Sequence, residues 1–348
     1  MGVQLPIQNK GGELFFIGGS MSRAAFELIH PGVFTTIQDL GRKGYFASGI
    51  PPSGAMDRFA FRMGNLLVKN SLNEAGIEMT AIGMKVRVLQ DTVIALTGAA
   101  FEAKLNGSSI PLWETIYLRE GDLLSLGKAE KGWRGYLCVS GGIDVPQVLG
   151  SKSTYTLGGL GGIRGRALKK GDRLEVGPAR FPLDRLKGRK AKSEVLPQVG
   201  SEKELRVILG PQDDHVQKDS IEVFLNSPYR VSIRSNRVGY RFEGPQLFFN
   251  ERPKSRDAGL DPSNIVDDGN AIGAIQIPAG KEPICLGPDG VTMGGYVKIA
   301  CLITADMDRM AQLRIQDLGH FKKVLVDEAR LILKKSVENV REENILEG

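Results

Sequence analysis

The decapeptide LREGDLLSLG at residues 118–127 returns as LKKGDRLEVG at residues 168–177, and a diverged copy, LRIQDLGHF, stands at residues 313–321. In the first two copies a Gly-Asp pair precedes a short stretch of alternating apolar and polar residues. A Gly-Asp turn commonly leads the chain into a strand, so we interpret Asp122, Asp172 and Asp317 as turn residues. The repeat therefore predicts a β-rich fold with tight turns.

Outside the repeat, apolar residues mostly recur with a period of two, in short stretches bounded by Gly, Asp, Asn or Pro. Such alternation is typical of strands with one buried face. Helical periodicity is confined to residues 57–68, which start at a candidate Asp57 cap, and to residues 324–340. The chain is therefore predicted to be mainly β with a few helices. Examples of the alternating stretches lie at residues 84–89, 92–96, 205–209, 229–233 and 274–277.

Length and charge distribution predict two domains. The chain has 348 residues, more than one average domain, and the charged residues 183–204 separate two β-rich halves. We predict an N-terminal β-rich domain at residues 21–182, a linker at 183–204, a β-barrel at 205–322 and a C-terminal helix at 323–348. The basic cluster at residues 180–192 is interpreted as solvated linker, and a docking strip for an acidic partner subunit is the alternative.

Composition narrows the classes of function. The formal net charge is +6, but the basic residues are spread out and lack the interleaved aromatics of a nucleic-acid surface. The cysteines, Cys138, Cys285 and Cys301, are far apart and suit a reducing compartment, and no zinc-ligand spacing occurs. No apolar run approaches the roughly 18 to 20 residues that span a bilayer. We expect a cytoplasmic protein without a metal site or a nucleic-acid partner.

Residues 31–65 read PGVFTTIQDLGRKGYFASGIPPSGAMDRFAFRMGN and hold an unusual set of polar residues. Glycines and prolines surround them, so the backbone can approach a ligand and side chains can converge from loops. The segment is therefore interpreted as a site rather than as core. Its polar residues are Thr35, Thr36, Gln38, Asp39, Arg42, Ser53, Asp57, Arg58 and Asn65.

This segment resembles the opening block of a family that contains the C subunit of bacterial ATP-dependent 5-oxoprolinase. The family also holds the carboxyltransferase-like second subunit of allophanate hydrolase, found in urea amidolyase, and the antagonist of a sporulation-kinase inhibitor. Further blocks resemble the family at residues 139–166, 235–245, 273–278 and 294–296. The chain departs from the family pattern at residues 237–242, 288–293 and 315–317, which affects the expected pocket wall of the second half.

The resemblance implies two facing cyclophilin-like β-barrel halves. It also implies that the chain works with A and B subunits to hydrolyse 5-oxo-L-proline to L-glutamate. ATP and magnesium would be used by the partner subunit, because the glycine run at residues 158–162 lacks the Gly-Lys-Ser/Thr ending of a nucleotide loop. Alternatives are a subunit of a biotin-dependent carboxyltransferase, with biotin carried by another protein, and a regulatory protein that relieves kinase inhibition. The sequence leaves open whether the chain also forms a homo-oligomer.

Family members begin near Met21, and residues 18–21 read GGSM, which a purine-rich ribosome-binding site and a start codon could encode. Residues 1–20 are therefore expected to be a non-native or disordered leader.

The matching blocks supply candidate site residues for amide chemistry. Arginines would bind a carboxylate or phosphate, Asn and Gln would read an amide, and the backbone of residues 140–142 would form an anion nest. The catalytic candidates are Asp39, Arg42 and Asp57, with the two acids as proton donors or acceptors. The substrate-binding candidates are Gln38, Ser53, Asn65, Gly141, Gly142, Arg164, Arg166, Asn236, Arg237, Gln276 and Tyr296.

Structural interpretations of several candidates stay open. Asp57 precedes a helical stretch and suits a cap as well as a base, and Asn65 can close that helix. Arg42 can form a salt bridge with Asp39. The glycines of residues 158–162 can form a flexible loop rather than a phosphate cradle.

Overall fold

The computed structural model describes residues 7–8, 14–15, 23–198, 200–251 and 259–348. Its class is mainly β, as predicted, with two barrel-like β units. The proposed leader, residues 1–20, lies largely outside the described residues. Within the leader, two described strands, β1 (Ile7–Gln8) and β2 (Leu14–Phe15), pair in antiparallel fashion. The α-helices of the described part are α1 (Arg58–Leu67), α2 (Lys218–Asn226), α3 (Met307–Ala311) and α4 (Val326–Glu338).

The first unit is a nine-stranded sheet that curves into a half-barrel. Its order is β11-β3-β6-β10-β5-β4, and β7 pairs with β10, β8 and β9. The long strands β7 and β10 bend through several register shifts, which let one sheet wrap around its own apolar face. The strands are β3 (Arg23–His30), β4 (Phe34–Gln38), β5 (Gly76–Thr80), β6 (Lys85–Val88), β7 (Thr92–Leu105), β8 (Ser108–Ser109), β9 (Thr115–Leu118), β10 (Leu123–Val139) and β11 (Arg173–Val176).

The second unit is a closed barrel with the strand order β13-β20-β17-β18-β15-β14-β21. It closes where β13 pairs in parallel with β21, and its other pairs are antiparallel. Inside it, the rings of Phe224 and Phe321 stack with centroids 4.4 Å apart. The strands are β13 (Glu202–Leu209), β14 (Pro228–Val231), β15 (Gly239–Glu243), β17 (Ala274–Gln276), β18 (Ile284–Leu286), β20 (Lys298–Leu302) and β21 (Leu318–Lys323).

Besides β1 and β2, two further small strand pairs lie outside these units. The strands β16 (Asn264–Gly269) and β19 (Met293–Tyr296) form a ribbon, and β12 (Lys190–Ala191) pairs with β22 (Ile345–Leu346). Short 3-10 helices span Phe46–Ser48, Leu183–Leu186, Ser193–Val195, Asp213–His215, Pro278–Gly280, Thr304–Asp306 and Glu342–Asn344.

The two helices predicted from periodicity are confirmed as α1 and α4. The side chain of Asp57 caps α1 by accepting a hydrogen bond from the backbone N–H of Ala60 at 2.8 Å. Periodicity does not indicate α2 and α3, which also form. They have nine and five residues, too few for a clear period of 3.6.

The aspartates of the sequence repeat are turn residues, as predicted. Each carboxylate accepts a hydrogen bond from the backbone N–H three positions earlier, at 2.8 to 2.9 Å. This contact closes the turn that leads into the next strand. The three residues are Asp122, Asp172 and Asp317.

The segment that joins the halves is more buried than its charge predicts. The Arg189 side chain is fully buried, where its Nε donates to the carbonyl oxygen of Leu67 and its guanidinium pairs with Glu342 and Glu347. The interpretation of residues 180–192 as solvated linker is therefore wrong for Arg189. The carboxylates of the C-terminal segment compensate its charge, which the sequence pattern does not reveal. The predicted domain boundaries stay a prediction.

Candidate functional site

Asp39, just after β4, holds the central glycine-rich segment in place. Its carboxylate accepts four hydrogen bonds of 2.5 to 2.7 Å, from the Gly41 and Lys152 backbone N–H groups and from the Ser151 and Ser153 hydroxyls. Asp39 is buried, and these donors occupy both of its oxygens. The arrangement positions residues 151–153 beside residues 39–42.

Gln38 binds protein groups on both ends of its amide. Its Nε2 donates to the Thr36 hydroxyl at 3.0 Å and to the Thr154 carbonyl at 3.1 Å. Its Oε1 accepts a hydrogen bond from the Gly54 N–H at 3.1 Å. Gln38 therefore fixes the loop that contains Gly54 against the strand, and its amide contributes to the shape of the site.

Arg42 is a buried cation with unused donors. Its side chain is 1% exposed, and its Nη2 donates to the Ser153 carbonyl at 2.5 Å, whereas Nε and Nη1 have no acceptor in the described protein. Burial lowers the pKa of Arg42, and the charges of Asp39 and Asp289 partly offset this effect. Neither carboxylate forms an ion pair with Arg42 among the described residues. Because buried guanidinium groups normally have anionic partners, the unused donors of Arg42 are unusual, and its role in ligand binding stays a prediction.

Ser53 lies next to Arg42 in the fold and has a second unused donor. The Arg42 N–H donates to the Pro52 carbonyl at 2.8 Å, and the Ser53 N–H donates to Pro288 of the second half at 2.9 Å. Ser53 is fully buried with a φ of +56°, and its hydroxyl has no partner in the described protein. A left-handed backbone at a non-glycine residue is costly, which is common at ligand sites.

Arg237 joins the two halves directly behind this loop. It comes from the second half, and its Nη1 donates to Glu78 Oε1 at 2.5 Å and its Nε to Asp289 Oδ2 at 2.8 Å. Its Nη2 also donates to the Gly54 carbonyl at 2.8 Å. Burial lowers the pKa of Arg237, but the charges of Asp289 and Glu78 outweigh burial and raise it. Arg237 is thus a paired, structural cation, in contrast to Arg42.

Asp57 combines the cap with a titratable role. Besides the cap, its Oδ2 accepts a hydrogen bond from Gln312 Nε2 of the second half at 2.7 Å. Burial raises the pKa of Asp57 to about 6, although the hydrogen bonds from Ala60 and Gln312 oppose this rise. A carboxyl group with such a pKa can exchange a proton near neutral pH. The cap that the sequence offered for Asp57 is confirmed, and its role as a base stays a prediction.

The predicted anion nest is occupied by protein contacts. The Gly141 N–H donates to Asn70 Oδ1 at 3.0 Å, and a side chain on Gly142 would overlap Glu74 Cγ. Asn65, inside α1, donates to the Glu74 carbonyl at 2.9 Å. These residues pack the end of α1 against the turn after β10.

The arginines of the central block have different environments. Arg166 forms a two-pronged ion pair with Asp172, with N–O distances of 2.7 and 2.9 Å. Arg164 is exposed in a left-handed conformation with a φ of +55°. Neither residue contacts Arg42 through a hydrogen bond in the described part of the chain.

The remaining candidates of the second half lie in the turn before β15, at the end of the barrel strand β17 and on the β16–β19 ribbon. Asn236 Oδ1 accepts a hydrogen bond from the Val238 N–H at 2.8 Å, and Gln276 Nε2 donates to Asn270 Oδ1 at 3.1 Å. Tyr296 lies on β19 and is partly exposed. The structure thus brings together Gln38, Arg42 and Ser53 of one half with Arg237 of the other, and it places these remaining candidates elsewhere.

Several residues of this junction escaped the sequence analysis. Ser151 and Ser153 lie in the matching central block, where their side chains gave no separate signal. Single acids within an apolar strand or a turn, such as Glu78 and Asp289, carry no pattern that marks them as partners of a distant arginine. Gln312 follows a short helix that periodicity also missed.

A family model described as carboxyltransferase domain, subdomain A and B, matches residues 48–323. The chain is 37% identical over 303 residues to the C subunit of 5-oxoprolinase from Escherichia coli (strain K12), a match that covers 87% of this chain and 92% of that protein. It is 37% identical over 322 residues to urea amidolyase of Saccharomyces cerevisiae, covering 88% of this chain and 17% of that protein. The chain thus spans nearly all of the first relative and a small part of the second.

Solved structures show the same architecture. The crystal structure of the K. lactis urea amidolyase has a TM-score of 0.86 and 34% identity, covering 94% of this chain and 21% of that chain. In the described part of this chain, we find no helix with the length and apolar character needed to cross a membrane. The chain belongs to the carboxyltransferase domain family, subdomains A and B, together with the C subunit of 5-oxoprolinase and the matching part of urea amidolyase.

Proposed function

We propose that this chain is the C subunit of an ATP-dependent 5-oxoprolinase, which hydrolyses 5-oxo-L-proline to L-glutamate together with A and B subunits. Two relatives that are named as the C subunit of 5-oxoprolinase, from Escherichia coli and Haemophilus influenzae, support this assignment. They are 37% and 32% identical to the chain, which covers 92% of each.

The observation that carries the proposal is the buried, unpaired guanidinium of Arg42. The substrate 5-oxoproline has one carboxylate and one lactam group. An arginine has five N–H donors, and Arg42 uses one hydrogen of Nη2 to bind the Ser153 carbonyl. The other Nη2 hydrogen and an N–H of a neighbouring, unpartnered nitrogen form an edge with two parallel donors. Such an edge binds a carboxylate with two parallel hydrogen bonds, and the Ser53 hydroxyl adds a further donor.

We assign ATP and magnesium to the partner subunit, because the glycine-rich residues 158–162 lack the lysine and hydroxyl residues of a phosphate loop. The partner would activate the lactam, and this chain would bind the carboxylate and hold the ring in position. A cytoplasmic location fits the three free cysteines, Cys138, Cys285 and Cys301.

Reconstitution tests this proposal. Purified A, B and C proteins are mixed with 5-oxoproline, ATP and magnesium, and glutamate is measured after each protein is omitted in turn. We expect glutamate only from the complete mixture, because the described residues of this chain include no complete set of catalytic groups. Glutamate from this chain alone, or full activity of A and B without it, would contradict the proposal.

The second candidate is a subunit of a biotin-dependent carboxyltransferase that acts on urea or another amide. It is favoured by the family model and by the crystal structure of the Kluyveromyces lactis urea carboxylase, with a TM-score of 0.86 at 34% identity. The same preparation is therefore tested with urea, bicarbonate, ATP and a biotinylated carrier with its carboxylase. Urea-dependent ATP hydrolysis that needs this chain, without glutamate formation in the first assay, would establish the second candidate instead.

A further inference from the structure

A separate cavity of about 250 Å³ lies where the start of α1, the helices α3 and α4, and the segment before β13 meet. It is smaller than the roughly 300 to 1,000 Å³ of pockets for drug-sized ligands, so it suits a small molecule. Its lining includes neither Arg42 nor Ser53. The cavity is therefore distinct from the carboxylate site proposed above.

One wall of the cavity is acidic. Asp57 and Asp308 both line it, and Asp308 Oδ1 accepts a hydrogen bond from the Arg58 N–H at 2.7 Å. Burial, followed by the charge of Asp57, raises the pKa of Asp308 well above its usual range, although the charges of Arg58 and Arg62 oppose this rise. Asp57 is buried and Asp308 is half-buried, and an ammonium group between them would stabilise their ionised forms.

Basic side chains line the opposite part of the cavity, and one of them, Arg206, pairs with Asp306. Lys203 is only 7% exposed, and its Nζ donates to the Gln198 carbonyl but forms no ion pair in the described part of the chain. Burial lowers the pKa of Lys203, as does the charge of Arg309. Arg309 and Lys335 also line the cavity, where both are exposed to solvent and form no ion pair with another described residue. A buried ammonium without a carboxylate partner is costly, and a bound anion would offset that cost.

The balance of charge identifies the class of ligand. The buried Lys203 and the exposed Arg309 and Lys335 meet two carboxyl groups, whereas Arg206 is already paired with Asp306. Apolar side chains such as Phe59 and Ile332 fill the remaining wall. An amine alone would leave the cations unpaired, and a simple dicarboxylate would face the acids. A molecule with one ammonium and two carboxylates satisfies both walls.

We propose that this cavity binds an acidic α-amino acid, with its ammonium between Asp57 and Asp308 and its carboxylates toward Lys203, Arg309 and Lys335. Glutamate, the product in the proposed reaction, belongs to this class, and that link rests on the proposed function. Binding of an acidic amino acid to the isolated chain can be measured whether or not the proposed function is correct, because the binding needs neither partner subunits nor ATP.

Titration calorimetry with three probes on the full chain tests the proposal. L-Glutamate has all three charged groups, 4-aminobutanoate lacks the α-carboxylate, and glutarate lacks the amine. We expect saturable binding of L-glutamate and at least about tenfold weaker binding of the other two, the scale of one lost charged contact. Equal binding of glutarate would indicate a simple anion site and overturn the proposal, as would the absence of L-glutamate binding.

Variants place the binding in the cavity. Lys203→Met and Asp308→Asn should each weaken L-glutamate binding at least about tenfold, whereas Lys128→Met, at an exposed strand position outside the cavity, should leave it unchanged. Lys335→Met on the surface helix α4 replaces Lys203→Met if that variant does not fold. Unchanged affinity in the folded cavity variants would place the ligand elsewhere and refute the assignment.

Discussion

Arg237 Nη1 donates a hydrogen bond to Glu78 Oε1 at 2.5 Å and thereby connects the barrel to the half-barrel sheet. Both side chains are buried, with 6% and 1% of the side chain exposed. Nearby, Met56 of the first half packs into the core of the barrel. The two halves are therefore joined by both a buried ion pair and apolar contacts.

This pair should be essential for stability. In Arg237→Met the carboxylates of Glu78 and Asp289 lose their cation, so we expect a loss of about 3 to 5 kcal/mol in the free energy of unfolding. Arg234→Met removes an arginine whose side chain is 63% exposed, and it should cost at most about 1 kcal/mol. Urea denaturation of both variants measures the difference, and equal losses would show that the buried pair does not hold the halves together.

Gly54, which packs against the backbone of Leu40 and Gly41 next to Arg42, should tolerate no side chain. A Cβ on Gly54, where φ is +90°, would lie 2.7 Å from the Gly41 backbone nitrogen, so Gly54→Ala should destabilise the protein by about 2 to 4 kcal/mol. Gly44 has a similar φ of +91° and no atom within 4 Å of the added Cβ, so Gly44→Ala should cost only about 1 to 2 kcal/mol. Melting temperatures of the two variants separate close contact from backbone strain, and an equal decrease would show that the contact between the loops is unimportant.

Stability should depend on pH through Asp57. Its pKa rises from 3.8 to about 6 on folding, so the native state holds this proton more tightly than the unfolded state. The resulting stability is present below about pH 4 and is lost as the pH rises through about 6, on the order of 2 to 3 kcal/mol. Asp57→Asn should flatten this part of the profile, because it removes both this titrating group and the charge that raises the pKa of Asp308. Parallel urea titrations at pH 4.5 and 7.5 measure the slopes, and identical slopes would show that Asp57 does not titrate in this range.

The sequence predicts local structure well and long-range pairing poorly. Asp57 indicates the start of α1 because a cap depends on neighbouring residues, and the Gly-Asp turns at Asp122 and Asp172 depend only on a few adjacent positions. The parallel pairing of β13 with β21 joins segments that are more than a hundred residues apart, and no local pattern encodes it.

The candidate site shows the same division. The polar block at residues 31–65 indicates convergence of polar side chains, and the structure brings Gln38, Arg42 and Ser53 into one loop region. The sequence leaves open whether Arg42 pairs with Asp39. The geometry decides this, because the hydroxyls of Ser151 and Ser153 occupy Asp39 and Arg42 keeps unused donors.

The central claim is that Arg42 binds a ligand rather than stabilises the fold, and Arg42→Met tests it most directly. The substitution removes a buried cation without an ion pair and retains apolar volume, so the free energy of unfolding should be unchanged or higher. Arg42→Lys should restore little activity, because an ammonium group cannot form the planar two-donor edge.

The decisive measurement is glutamate formation by the complex of A, B and the Arg42→Met chain, compared with the free energy of unfolding of the same preparation. The account predicts that glutamate formation falls on the order of 100-fold, the scale expected for a lost charge-stabilising donor, while the chain remains as stable as the wild type. A loss of activity fully explained by a smaller folded fraction, or wild-type activity in the folded variant, would contradict it.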